Sequence, residues 1–197
     1  MSAGRKYTII VIGASAGGLG ALSFILPALP AHYPIPIVVV QHRMRDQGEL
    51  LEEVLQEKCR IKIKQADEKE SIKSGFVYIA PPDYHLMIEA NGAFSLASDE
   101  PVHYSRPSVD VLFETTAAVY KEQAIGILLT GANEDGAAGL ASIRKAGGLT
   151  LVQDPGEAQS PQMPRAAIGA GGAALVLTLT EIRELLLKIG KQHGKNR

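Results

Sequence analysis

The sequence predicts an α/β fold in which helices cover both faces of a doubly wound, mostly parallel sheet. Short apolar runs alternate with segments that carry apolar residues at helical spacing, and this alternation is typical of parallel sheets. The run at 7–13 is apolar on both faces, as a central parallel strand is, and the run at 35–41 is the second predicted strand. Neither a linker nor an internal repeat divides the chain. We therefore expect a single domain over 1–197, with its core at about 7–189 and a basic tail at 190–197.

Three further elements are predicted in the first part of the chain: a helix at 18–29, a helix at 48–58 and a strand at 61–65. Pro30 marks the end of the first helix, because proline cannot continue a helix. Leu51 and Leu55 share one face of the second helix. The strict alternation of IKIKQ predicts a half-exposed strand.

The section that follows changes character. Three short strands are predicted at 76–80, 85–89 and 93–96, separated by Pro81-Pro82-Asp83 and by Asn91-Gly92. An Asn-Gly step is a strong hairpin signal. We therefore expect an antiparallel hairpin insertion near residues 76–96.

Strand and helix alternation resumes after this insertion. In order, the predicted elements are helix 108–120, strand 124–129, helix 136–146, strand 149–153, helix 164–170, strand 173–177 and helix 180–189. Thr178 lies three residues before Glu181, which is the spacing of a capping box at the start of the last helix.

Composition argues against several classes of protein. The formal charge is −1 and no long basic run occurs, so the electrostatic footprint of a nucleic-acid-binding protein is missing. A single cysteine, Cys59, rules out an internal disulfide framework and a cysteine-rich zinc site. No stretch approaches the roughly 18 consecutive apolar residues of a membrane span. We expect a cytoplasmic protein that binds no nucleic acid and is not inserted in a membrane.

The first strand runs directly into a serine surrounded by small residues, Gly13-Ala14-Ser15-Ala16-Gly17-Gly18. A dinucleotide-binding loop needs a glycine where Ser15 stands, and a P-loop needs a lysine that this segment lacks. The spacing G-x-S-x-G between a strand and a helix instead matches a turn that lifts a nucleophilic serine above a sheet. The following helix N-terminus offers N–H groups to a developing oxyanion. A purely structural tight turn is the alternative interpretation.

Two further strand ends place reactive side chains at the same edge of the sheet. His42 directly follows the second strand, and Asp135 follows the strand at 124–129. A serine nucleophile needs a base, and the imidazole needs an acidic partner. Ser15, His42 and Asp135 together therefore predict a Ser-His-Asp site, in a chain order different from that of α/β-hydrolases. Taken singly, His42 also fits a solvated loop histidine and Asp135 an N-cap of the next helix.

With these residues in place, the chain resembles the catalytic domain of the CheB family, the chemotaxis protein-glutamate methylesterases. The similarity covers about residues 7–189. It rests on the blocks IGASAGG, QH after the second strand, GFVYIAPPDYHL, SRPSVDVLF, LLTGANEDGAAGL and MPRAAI. The combination is specific, whereas the first block alone would be weak.

The resemblance implies hydrolysis of γ-glutamyl methyl esters on the cytoplasmic part of methylated transmembrane chemoreceptors. In some members it also implies deamidation of receptor glutamines. It assigns the nucleophile to Ser15, the general base to His42 and the acidic member to Asp135, and it implies that no metal or organic cofactor is needed. Further residues are expected around the oxyanion and the substrate: Ala16, Gly17, Gly18, Arg106 and Ala132.

The chain also departs from the family's pattern. Ala16 stands where threonine is common, and Ala132 and Asn133 replace the methionine and second glycine of T-G-M-G-x-D-G. Many relatives carry an N-terminal receiver domain for which this chain has no room, so we expect a stand-alone domain or a fragment. Arg165 fits either a contact with an acidic receptor segment or a surface cation. Two other functions stay open: a catalytically silent binding module of the same fold, and an esterase or amidase for another acyl substrate.

Overall fold

The computed structural model describes residues 6–43 and 50–195. Short 3₁₀ turns follow α1 at Leu26–Ala28 and α3 at Lys121–Gln123. The strands and helices, in chain order, are β1 (Ile9–Ala14), α1 (Gly18–Ile25), β2 (Ile37–Gln41), α2 (Leu50–Gln56), β3 (Lys62–Gln65), β4 (Phe76–Ile79), β5 (His85–Ile88), β6 (Phe94–Ala97), α3 (Val109–Tyr120), β7 (Ala124–Leu128), α4 (Ala137–Lys145), β8 (Leu149–Gln153), α5 (Gln162–Gly169), β9 (Leu175–Leu177) and α6 (Leu179–Lys195).

Seven of the strands form one parallel sheet in the order β3-β4-β2-β1-β7-β8-β9. The chain builds outwards from β1 through β2 to β3, and then returns to the other side of β1 with β7. The switch point of the topology therefore lies between β1 and β7. In open sheets of this kind, ligands bind beyond the carboxyl ends of the strands at such a point. The predicted fold class is confirmed.

The central strands are buried on both faces because their alternate residues belong to two hydrophobic cores. Ile10 and Ile12 of β1 pack in the core that includes α1, α2 and α6. Ile9 and Val11 pack in the core that includes α3, α4, α5 and the β5–β6 hairpin. Period-2 alternation with apolar residues on both sides is the sequence signature of a covered parallel strand.

The hairpin is shorter than the sequence predicted. Phe76–Ile79 is not part of it, because β4 pairs in parallel with β2 on one side and β3 on the other. Val77 and Tyr78 point into opposite cores, as expected of a strand inside the sheet. The antiparallel pair consists of β5 and β6 alone. Gly92 adopts φ 77° in their connection, which confirms the Asn-Gly hairpin signal.

The last helix begins as predicted and ends later. The Thr178 N–H and the Glu181 carboxylate are 2.8 Å apart, and the Glu181 N–H donates to Thr178 Oγ1 at 3.2 Å, so the capping box is confirmed. The helix continues to Lys195 through much of the predicted tail. At Gly190 a Cβ would lie 2.5 Å from the Tyr33 ring, so this residue packs against the domain.

The structure describes only part of the helix predicted at 48–58. The first residues of the helix predicted at 48–58 lie outside the described part of the chain, and α2 is described from Leu50. Within residues 6–43 and 50–195, no helix is both long and apolar enough to cross a bilayer.

We expect Gly13→Ala to destabilise the fold, because a Cβ there would lie 2.2 Å from Val109 Cγ1 and 2.9 Å from Leu128 Cδ1. Overpacking of this kind costs about 1–3 kcal/mol. For a chain of this size, the thermal midpoint should fall by roughly 2–4 °C per kcal/mol. Gly20→Ala is the control, because nothing lies within 4 Å of the added Cβ. Inside a helix that change should stabilise by about 0.5–1 kcal/mol. Equal midpoints for the two variants would contradict the packing argument.

Candidate active site

Ser15 lies in the sharp turn between β1 and α1, at the carboxyl edge of the sheet. Its backbone N–H donates to Thr130 O at 2.9 Å, which ties the turn to the segment after β7. Gly17 adopts φ 83°, a left-handed conformation that favours glycine, and a Cβ there would lie 2.8 Å from Gln159 Cβ. The turn therefore needs glycine for both conformation and space, as the sequence spacing indicated.

His42 follows β2 and reaches a buried carboxylate. Its backbone N–H donates to Ala14 O at 3.0 Å, which extends the β1–β2 pairing by one residue. The imidazole Nε2 lies 2.7 Å from Asp135 Oδ2. The side chain of His42 is 11% exposed and that of Asp135 is fully buried. Two of the three predicted residues thus form a close pair beside the turn that carries the third.

The Asp135 carboxylate lies at the N-terminus of α3. Oδ1 accepts hydrogen bonds from Ser108 Oγ at 2.7 Å and from the Asp110 N–H at 3.0 Å. Oδ2 accepts from the Val109 N–H at 2.7 Å as well as from His42. Asp135 is therefore not the N-cap of the following helix. Gly136 is the N-cap of α4, and the Asp135 carboxylate binds N–H groups of α3 instead.

Two neighbouring buried aspartates have pKa values displaced in opposite directions. Burial opposes the charge of Asp135, yet hydrogen bonds from His42, Asp110 and Val109 hold its pKa below the usual range. Burial raises the pKa of Asp110, and the charge of Asp135 adds to that effect, whereas the Gly139 N–H opposes it. Opposite displacements of paired carboxyl groups distinguish their roles. Of the two, Asp135 is the carboxylate that stays ionised and can therefore keep accepting hydrogen bonds.

A pocket of about 600 Å³ opens above these residues, and the Ser15 and His42 side chains line it. At the second imidazole nitrogen, Ser105 Oγ lies 3.4 Å from His42 Nδ1. The Ser15 hydroxyl makes no hydrogen bond to His42 within the described residues. Hydrogen bonds between a nucleophile and its base are often loose without substrate and tighten in the Michaelis complex.

Ser105 is presented by a tight turn at the rim of the pocket. Its backbone N–H donates to Val102 O at 2.8 Å, and the Val102 N–H donates back to Ser105 O at 3.1 Å. Both central residues, His103 and Tyr104, have left-handed φ values of 49° and 60°, which are strained for side chains of this size. Strain of this kind concentrates at functional sites. The turn places Tyr104, which is fully exposed, over the pocket.

Three backbone N–H groups around Ser15 are free to bind a developing oxyanion. Those of Ala16, Gly17 and Ala132 have no hydrogen-bond partner within the described residues. The N–H of Gly18 is different, because it donates to Ser15 O at 2.8 Å. Gly18 therefore does not fit the oxyanion role expected of it. Its importance lies in its lack of a side chain.

The remaining predicted residues have distinct surroundings. Arg106 lines the pocket, but its Nη1 donates to Ser98 O and Asp99 O at 2.9 Å each, so part of the guanidinium holds the adjoining loop. Ala132 and Arg165 line a second groove of about 670 Å³ beside the Ser15 turn rather than the pocket itself.

Sequence reasoning missed several residues that build the site. Ser108 fitted either a substrate-positioning role or a helix start, and in the structure it donates to Asp135. His85 is buried and accepts the Ser108 N–H at Nδ1, while its Nε2 donates to Glu100 O at 3.1 Å. Ser105 stands in the same SRPSVD block. The block's proximity to His42 is tertiary, so no local spacing signals it.

We expect Asp135→Asn to lower both stability and activity, because the added NH₂ group cannot accept hydrogen bonds from the N–H groups of α3. The loss should be about 1–3 kcal/mol at neutral pH and about 10⁴-fold in turnover of an ester. The folded-state pKa of Asp135 is lowered, so its contribution to stability is present above the unfolded value of about 3.9 and is lost as pH falls through the folded value. The stability difference between wild type and variant should therefore shrink in acid.

Asp110→Asn is the matched control. Its pKa is raised, so the charged form is disfavoured in the folded state at neutral pH, and Asn Oδ1 can still accept from the Gly139 N–H. We expect Asp110→Asn to be as stable as wild type, or more stable, at neutral pH. Thermal melts of both proteins recorded from pH 3 to pH 8 measure this. Equal destabilisation by both changes would refute the distinction between the two carboxyl groups.

The chain is similar to known proteins over nearly its whole length. A relative from Leptospira interrogans is 52% identical over 193 residues, which are 98% of this chain and 100% of the relative. A protein-glutamate methylesterase/protein-glutamine glutaminase of Symbiobacterium thermophilum is 38% identical over 180 residues, 91% of this chain and 50% of that protein. The crystal structure of the Thermotoga maritima CheB methylesterase catalytic domain superimposes with a TM-score of 0.89 at 36% identity, covering 93% of this chain and 99% of that one.

The match extends to a description of the whole family. The sequence model of the CheB methylesterase family matches residues 10–186, which includes all the residues that form the pocket. The resemblance drawn from sequence blocks is thereby confirmed. The chain belongs to the CheB methylesterase family.

Proposed function

We propose that the protein hydrolyses γ-glutamyl methyl esters on the cytoplasmic part of chemoreceptors, with Ser15 as nucleophile, His42 as general base and Asp135 as the acid that orients it. The observation that carries the proposal is the 2.7 Å contact between His42 Nε2 and the buried Asp135 carboxylate, in a pocket that Ser15 lines. The names of the relatives support the substrate class.

The hydrogen bonds of His42 indicate which nitrogen acts as base. Asp135 is ionised at neutral pH because its pKa is lowered, so it accepts a proton donor and Nε2 carries the hydrogen. The lone pair is then on Nδ1, the nitrogen that faces the Ser105 hydroxyl and the pocket. Nδ1 takes the Ser15 proton as Oγ attacks the ester carbonyl carbon, and the imidazolium that forms is stabilised by Asp135.

The reaction proceeds through two acyl transfers. In the first, the carbonyl oxygen becomes an oxyanion held by the N–H groups of Ala16 and Gly17. Nδ1–H then protonates the departing methoxide, and methanol leaves a γ-glutamyl ester on Ser15. In the second, Nδ1 accepts a proton from water, the hydroxide attacks the acyl carbon, and Ser15 leaves with that proton. The products balance as methanol and a glutamate side chain.

The same chemistry extends to receptor glutamines, because an amide differs from the ester only in its leaving group. Nδ1–H would protonate departing ammonia instead of methoxide. The paired name of the Symbiobacterium thermophilum relative, methylesterase and glutaminase, supports this second activity.

Ser15→Ala should abolish methanol release from methylated chemoreceptor membranes, whereas Ser105→Ala should reduce it by less than about tenfold. Both serines line the pocket that His42 lines, but Ser15 adjoins free backbone N–H groups at a helix N-terminus, and such donors are worth roughly 10²–10³ in turnover. Released methanol is quantified for wild type and both variants. Loss of activity in Ser105→Ala with retention in Ser15→Ala would reverse the assignment of the nucleophile. No release from wild type would leave a silent module or another acyl substrate.

His42→Ala should lower turnover by about 10⁴-fold, because the serine then has no base. His103→Ala is the control: His103 contacts Asp110 and Glu134 at 3.4 and 3.8 Å and lies in the pocket-rim turn, but it touches neither Ser15 nor Asp135. Its variant should keep turnover within about fivefold. A loss below tenfold in His42→Ala would exclude it as the base.

A further inference from the structure

Gln41, the last residue of β2, spans the gap between the two proposed reacting residues. It is 8% exposed. Its Nε2 donates to the backbone carbonyl oxygen of Ser15 and to that of His42, each at 2.9 Å. An amide nitrogen carries two hydrogens, so both are used. We propose that Gln41 is a positioning residue that fixes the nucleophile turn relative to the base. The inference rests on the proposed function only in taking Ser15 and His42 as the reacting pair.

The bond to Ser15 O also orients an oxyanion donor. Ser15 C=O and the Ala16 N–H belong to one planar trans peptide, in which these two groups point in opposite directions. A donor that holds the carbonyl from one side therefore directs the Ala16 N–H to the other. The Ala16 N–H is free within the described residues, and Ala16 lines the pocket. Gln41 acts on the reaction through this peptide and not by touching substrate.

The surroundings of Gln41 indicate that a glutamine stands at this position because of its two N–H donors and not because of its packing. Its Oε1 is buried and has no hydrogen-bond partner within the described residues, a situation that costs about 1–3 kcal/mol. A Cβ at Gly18 would lie 1.9 Å from that oxygen, so only glycine leaves room for it. An apolar side chain of the same length would fill the site without an unpartnered buried oxygen. The amide is therefore suited to holding the two carbonyl groups.

The test is Gln41→Met, which keeps the length of the side chain and removes both donors together with the unpartnered carbonyl. Two rates are measured at a temperature where thermal melts show the variant folded. One is methanol release from methylated chemoreceptor membranes, and the other is covalent modification of Ser15 by a fluorophosphonate. We expect kcat and the fluorophosphonate rate constant to fall by about 10- to 100-fold, because a misplacement of about 1 Å can cost that much. KM should change by less than about threefold, since no substrate contact is removed.

Gln56→Met is the matched control. Gln56 Nε2 also donates to two backbone carbonyls, Cys59 O at 3.0 Å and Ile61 O at 3.3 Å, and its Oε1 accepts from the Ile63 N–H at 2.8 Å. These partners lie near the amino end of β3, whereas the site lies at the carboxyl edge of the sheet. This variant should lose stability and keep both rates within about twofold. If Gln41→Met fails to fold, Gln41→Leu replaces it, because it also removes both donors and places no charge against the two carbonyl oxygens.

The outcomes separate the positioning role from the proposed function. Unchanged kcat and fluorophosphonate rates in a folded Gln41 variant overturn the positioning role. Absence of methanol release from wild type, with fluorophosphonate modification that is slowed in Gln41→Met but not in Gln56→Met, supports the positioning role while the substrate assignment fails. Absence of any modification of wild-type Ser15 overturns both proposals.

Discussion

The candidate site depends on one interaction, the burial of the Asp135 carboxylate at the N-terminus of α3. Full burial would penalise the charge, but His42 Nε2, Ser108 Oγ and two backbone N–H groups at the start of α3 compensate for the lost water. The helix N-terminus also favours a negative charge. Because the carboxylate stays ionised, it fixes the orientation and the tautomer of the imidazole. One side chain thereby joins the segment after β7, the end of β2 and the start of α3.

The topology of the sheet brings these segments together. Parallel strands end at one edge, so the residues after β1, β2 and β7 are neighbours although about 90 positions separate His42 from Asp135. The approach of α3 needs a further condition. Val109 packs so closely against Gly13 that a Cβ added to Gly13 would lie 2.2 Å from Val109 Cγ1. A glycine in β1 thus lets the N-terminus of α3 lie beside the strand that carries Ser15.

Local sequence predicted the features that depend on chain order, and it failed where tertiary contacts decide. Ser15, His42 and Asp135 could be predicted because each follows an apolar strand, and edge-sharing is a general property of parallel sheets. β4 was assigned to the hairpin region because its short apolar run lies close to two antiparallel strands. The sequence indicated that Asp135 could lie at a helix N-terminus, but it indicated the wrong helix. Asp135 binds the N-terminus of α3, which precedes it in the chain, rather than that of α4. The contacts of Ser105 and Gln41 lie across the fold, and no spacing signals them.

The presence of two hydroxyls near one base shows why proximity alone does not choose a nucleophile. Ser105 Oγ contacts His42 Nδ1 at 3.4 Å, whereas Ser15 makes no hydrogen bond to His42 within the described residues. Yet negative charge develops on the carbonyl oxygen during attack, and rate depends on what stabilises it there. Around Ser15 the N–H groups of Ala16 and Gly17 have no partner within the described residues, and α1 begins at Gly18. Ser105 precedes α3, but the Val109 and Asp110 N–H groups at that helix N-terminus already bind Asp135. This electrostatic difference supports the proposal that Ser15 is the nucleophile, with Ser105 holding the imidazole in place before substrate arrives.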